Sequence, residues 1–166
     1  MPADRLLTAI LTRADKGTRL IVMLGAATMI IVVSAQVVMR YVFNGSFDWA
    51  DEVSRIAFVW TTFLAIPLGV RDGSHVGITL LVDRLPVRTR DLIARLMNLL
   101  AAAMMLVVFW TSIEVAAATW SERLGAINMT SSVFFIPVIL ASAHSALHLL
   151  QSALKPVPRH PIEAVS

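Results

Sequence analysis

The sequence predicts an all-α membrane protein: four transmembrane helices, a short amphipathic N-terminal helix at the membrane interface, and both termini in the cytoplasm. Three observations lead there. Residues 20–39, 56–70, 96–113 and 124–154 contain no Lys, Arg, Asp or Glu, and about 20 mostly apolar residues are enough for a helix to cross a bilayer. The chain is 57% hydrophobic and 15% charged, against roughly 45–50% and about 25% in soluble domains, so 166 residues leave too little polar sequence for a soluble domain beside four spans. The basic residues also fall unevenly around the spans, and that asymmetry sets the orientation.

The N-terminal arm, residues 1–17, places Leu6, Leu7, Ile10, Leu11 and Ala14 on one helical stripe, with Asp4, Arg5, Arg13 and Asp15 off it. That pattern predicts a helix lying on the membrane surface. Gly17 is positioned for a bend into the first span. A cleaved signal peptide is rejected, because residues 36–42 stay mostly apolar where a polar cleavage region belongs, and the apolar run is long for such a segment. The membrane domain, residues 18–152, has spans expected at about 20–42, 50–71, 92–120 and 130–151, each long enough to cross. Asn44-Gly45 is the turn signal after the first span. Asp48, Asp51 and Glu52 open the second, where the helix dipole favours carboxylates. Arg55 lies within helical reach of Asp51 and Glu52, and Pro67 is placed to kink the end of that span.

Pro86 suits the first turn of a helix. A helix from there to about Trp120 would be on the order of 50 Å long, more than a bilayer core requires. Gly125 and Asn128 break the chain again, and Thr130 and Ser131 are placed to cap the last span. The proline-bearing tail, residues 153–166, is expected to be disordered. Eleven of the 14 Lys and Arg residues lie in the arm, the middle break or the tail, and only Arg40, Arg55 and Arg123 lie on the other side. By the positive-inside rule both termini are cytoplasmic, and Tyr41, Trp49 and Trp120 fall at the outer interface.

The net charge of +3 does not mark a nucleic-acid binder, because the basic residues form no stripe with interleaved aromatics; they face anionic lipid instead. There is no cysteine, which removes disulfides and thiolate metal sites. Glu114 is the acidic residue of the third span and a functional candidate on that ground, although it lies near the outer end. His144 and His148, at i and i+4, share one face, but a metal site needs further ligands. No metal or other cofactor is therefore expected; a haem-bearing membrane anchor of a redox complex, using these His, is the alternative. No nucleophile–base set or phosphate loop is present, so no enzyme is expected. The polar residues inside the spans are few and do not converge, unlike the midplane sites of complete ion-coupled transporters.

The run Arg40-Tyr41-Val42-Phe43-Asn44, followed by Trp49-Ala50-Asp51-Glu52-Val53-Ser54-Arg55, resembles the first loop of the small Q-type membrane subunit of tripartite ATP-independent periplasmic (TRAP) transporters. Gly69-Val70-Arg71, then His75-Val76 and Ile78, is similar to the family's segment after the second span. The resemblance implies a secondary active importer of the bacterial inner membrane, in which a periplasmic solute-binding protein delivers an organic acid and a large transmembrane permease subunit moves it. The small subunit would be a scaffold without catalytic, substrate, cofactor or metal residues. The expected interface or structural anchors are Arg40, Trp49, Asp51, Glu52, Arg55, Arg71, His75 and Glu114, with membrane lipid as a further partner and no nucleic acid.

Overall fold

A computed structural model describes residues 2–71 and 87–154. Helix α1 spans Pro2–Val42, α2 Ala50–Arg71, α3 Val87–Ala118 and α4 Ile136–Leu154, with a 3-10 turn at Ser131–Phe134 before α4. All four helices are long and apolar enough to cross a membrane, as the sequence predicts.

The expected bend at Gly17 is absent: the arm and the first span form one helix of 41 residues. A glycine inside a helix costs only about 1 kcal/mol relative to alanine, and here tertiary contacts hold the helix on both sides of it. Leu11, Asp15 and Thr18, spaced i, i+4 and i+7, are all buried. Ala14, placed on the apolar stripe by the sequence, is exposed, while Asp15, placed off it, is buried. The arm is turned by its polar contacts, described below, rather than by its apolar residues alone.

The helices are neighbours in the order α1, α2, α4, α3. This order leaves α2 and α4 inside and α1 and α3 outside. On α4, Ala141, Ser142, Ser145, Ala146 and Leu149 are buried, and the Ala and Ser residues among them let the helix backbones approach closely. On α1 and α3 the large side chains point outward: Ile30 is 61% exposed, Ile31 66%, Leu100 64% and Met104 66%. Helices α1 and α2 approach closely at Gly25. A Cβ built on Gly25 would lie 2.5 Å from Thr61 Oγ1 and 3.4 Å from the Ala57 carbonyl oxygen, so only glycine fits there without moving the Thr61 side chain or α2. Pro67 sits buried inside α2 without ending it, and the helix continues to Arg71.

The connections are built from local hydrogen bonds. After α1, Asn44 adopts φ 49°, a left-handed conformation that asparagine tolerates. Gly45 N–H then donates to the Met39 carbonyl, while Gln36 Oε1 accepts from Phe47 N–H. At the end of α3 the last carbonyls have no helical partner. Ser132 Oγ donates to the Ala116 carbonyl at 2.6 Å and Thr130 Oγ1 to that of Trp120 at 2.7 Å. Thr130 also caps the 3-10 turn by accepting from Ser132 N–H. Within the row, Trp60 Nε1 on α2 donates to the Val133 carbonyl.

Ser145 is fully buried and its hydroxyl has no hydrogen-bond partner. An unsatisfied buried hydroxyl is a cost rather than a gain. Ser145→Ala is therefore expected to leave stability unchanged or raise it slightly, as read by thermal unfolding of the purified chain in detergent; a loss above about 1 kcal/mol, the worth of an ordinary hydrogen bond, would contradict this.

Candidate functional site

Two described clusters of polar side chains link the helices, one at each end of the bundle. At the loop end, Glu52 in the first turn of α2 reaches across to the α3–α4 connection. Its Oε1 accepts from Ala126 N–H at 2.9 Å and its Oε2 from Ile127 N–H at 2.8 Å. Both carboxylate oxygens thus hold backbone donors contributed 74 and 75 residues later, in charge-assisted bonds stronger than neutral ones. That connection is itself a tight turn, closed by Leu124 N–H to the Met129 carbonyl and Ser131 N–H to the Glu122 carbonyl. Glu52 therefore ties α2 to the α3–α4 pair.

At the opposite end, Asp15 of α1 meets the last turns of α2 and α4. Asp15 Oδ1 lies 2.9 Å from His148 Nε2 and 3.0 Å from His144 Nε2, and the two Nε2 atoms are 3.2 Å apart. Asp15 Oδ2 lies 3.3 Å from Arg71 Nη1. Gln151 of α4 adds a hydrogen bond from its Nε2 to Thr8 Oγ1 at 3.0 Å. The Asp15 side chain is 4% exposed and that of His148 7%. Burial of a carboxylate is tolerable only with such partners. This cluster is consistent with the arm and the first span forming one unbroken helix: a bend at Gly17 would pull Asp15 off α4.

The expected anchors distribute as follows. Glu52 and Arg71 each make an inter-helix contact. Asp51 stays local, its backbone carbonyl accepting from Ser54 Oγ, and among the described residues Arg55 makes no close ion pair with either carboxylate. Arg40 is exposed in the last turn of α1. Trp49 is 43% exposed and stacks at an angle on Phe47, with ring centroids 5.5 Å apart. Glu114 accepts from Trp110 Nε1 one turn earlier on α3, at 2.8 Å on the exposed face, so its partner is its own helix. His75 lies outside the described residues.

Asp15 was not a candidate on sequence, because its partners Arg71, His144 and His148 lie far along the chain, His148 133 residues away, and its neighbours on the arm suggest a solvated charge. The pairing of His144 with His148 was legible from their spacing, and the group they share was not. The haem alternative gains nothing here, since both Nε2 atoms are turned onto Asp15.

Comparison with known proteins agrees with this architecture. Residues 29–159 match the model of the family described as tripartite ATP-independent periplasmic transporters, DctQ component. A provisionally named TRAP transporter small permease protein of Haemophilus influenzae is 22% identical over 85% of this chain and 86% of its own length. The C4-dicarboxylate TRAP transporter small permease protein DctQ of Vibrio cholerae is 35% identical over 43% of this chain and 30% of its own. The isethionate TRAP transporter permease protein DctMQ of Oleidesulfovibrio alaskensis is 22% identical, with 76% of this chain matching 21% of that longer protein. With four apolar helices and a family match over most of its length, the chain belongs to the DctQ family, the small membrane components of TRAP transporters.

Proposed function

We propose that this multi-pass protein of the bacterial inner membrane is the scaffold of a three-part importer. It holds a large permease subunit, which moves an organic acid driven by an ion gradient, and a periplasmic binding protein delivers the solute. The observation that supports this role most is the distribution of polarity. Two described carboxylates, Glu52 and Asp15, clamp the helices to one another, one at each end of the bundle. The outer helices α1 and α3 turn large apolar side chains away from the bundle. A chain clamped inside and apolar outside suits a partner helix or lipid, and among the described residues no polar groups converge into a midplane site of the kind that transports. Match of this chain to part of a longer permease protein is consistent with a large subunit beside it.

Deleting the chain is expected to abolish solute uptake, and the tagged chain should co-purify with a many-helix permease. Uptake at the normal rate without it would contradict the scaffold role. The orientation is proposed with both termini in the cytoplasm, on the distribution of Lys and Arg. The chain has no cysteine, so single substitutions at exposed positions report directly. An impermeant maleimide should label Ser46→Cys in intact spheroplasts and Ser152→Cys only after permeabilisation. The reverse pattern would invert the topology.

A further inference from the structure

We propose that Asp15, His144 and His148 form a binding site for one divalent transition-metal ion of the zinc class, joining α1 to α4. This goes beyond the scaffold reading and does not depend on it. Oδ1 of Asp15 and the Nε2 atoms of both imidazoles form a nearly equilateral triangle with edges of 2.9, 3.0 and 3.2 Å. Zinc holds nitrogen and carboxylate oxygen at about 2.0–2.2 Å in a tetrahedron, which sets neighbouring donor atoms roughly 3.3 Å apart. The triangle thus approximates one face of such a tetrahedron and needs to open by only a few tenths of an ångström.

Hydrogen bonds alone serve this geometry poorly. Each imidazole nitrogen carries at most one proton, fixed in the ring plane. An Nε2–H aimed at Asp15 cannot also point at the other ring, and two such protons aimed at one oxygen crowd each other between nitrogens 3.2 Å apart. A cation above the triangle takes a lone pair from all three atoms at once.

The surroundings complete the case. A cavity of about 310 Å³, bounded by Thr8, Thr12, Arg71, Gln151 and Ser152, reaches Asp15 and His148. It offers an entry path and room for a water in the remaining coordination position. The second carboxylate oxygen is held by Arg71 at 3.3 Å, which leaves Oδ1 as the metal-facing atom; outer-shell partners of this kind orient metal ligands. Two imidazoles with one carboxylate select a borderline ion such as zinc over magnesium or calcium, which take all-oxygen sites. The ligands come from residues 15 and 144–148, so occupancy would fasten the N-terminal arm to the end of α4.

The test uses the full chain, purified in detergent and stripped with a chelator. After incubation with zinc chloride and desalting, elemental analysis should find about one zinc per chain. Asp15→Asn and His148→Gln should each weaken binding at least about tenfold, whereas the double variant His75→Ala/His160→Ala should bind like the parent. Cobalt(II) bound to the parent chain should give the intense visible absorption of a tetrahedral or five-coordinate ion. Substoichiometric zinc, binding that survives Asp15→Asn, or loss in the His75/His160 variant would each overturn the proposal. If Asp15→Asn or His148→Gln does not fold, the cobalt spectrum of the parent decides, a pale octahedral spectrum counting against the site.

Discussion

Asp15→Ala is expected to destabilise the purified chain by about 3 kcal/mol, measured by unfolding in detergent. Removing one partner of a buried ion pair typically costs ~3–5 kcal/mol; the lower end applies because the Arg71 side chain is 47% exposed and so already in contact with solvent. The substitution strips the shared carboxylate from His144, His148 and Arg71 together. Its damage should be local as well as global. The arm should lose hydrogen-exchange protection from Thr8 to Thr18, while α3, which Asp15 does not touch, keeps its protection until the bundle unfolds. A loss below about 1 kcal/mol, the range of an exposed surface pair, would mean that the cluster does not hold the arm.

The second large effect is expected at Gly25. An added Cβ meets Thr61 Oγ1 at 2.5 Å and the Ala57 backbone oxygen at 3.4 Å, so Thr61 must turn to its other helical rotamer or α2 must shift to admit it. Overpacking of this kind costs typically about 1–3 kcal/mol, and Gly25→Leu should lie at or above the top of that range. Gly25→Ala combined with Thr61→Ala removes the colliding oxygen, which is itself buried without a partner. The double variant should recover on the order of 1 kcal/mol relative to the sum of the single changes, a coupling normal for residues in contact. Strict additivity would show that the α1–α2 contact is looser than 2.5 Å implies.

These two positions mark what the sequence could and could not convey. The four spans were legible because their apolar runs are long and charge-free, a signal each residue contributes to independently. The Asn44-Gly45 turn and the Thr130 cap were legible because turn and cap chemistry is local. Asp15 was misplaced because its burial depends on Arg71, His144 and His148, brought to it only by the helix order α1, α2, α4. Glu52 looked like a helix-dipole residue beside Arg55, yet its carboxylate holds the turn at Ala126 and Ile127, a contact no periodicity encodes. Gly25 carried no sequence signal at all: its role depends on the distance to a neighbouring helix. Gly17, which did look like a hinge, is overridden by the contacts on either side of it.

If the chain is a fixed scaffold, welding its helices together should not impair transport. Gly25 and Thr61 offer the place: the ideal Gly25 Cβ lies 3.7 Å from the Thr61 Cβ, within the ~3.5–4.5 Å that a disulfide requires, and the chain has no other cysteine. The decisive measurement is solute uptake by the complete transporter carrying Gly25→Cys/Thr61→Cys, compared oxidised and reduced, with the parent chain taken through the same oxidant. The scaffold account predicts equal uptake in the two states once cross-linking is complete. Uptake lost on oxidation and regained on reduction, with the parent unaffected, would show that α1 and α2 move against each other during transport and would contradict it.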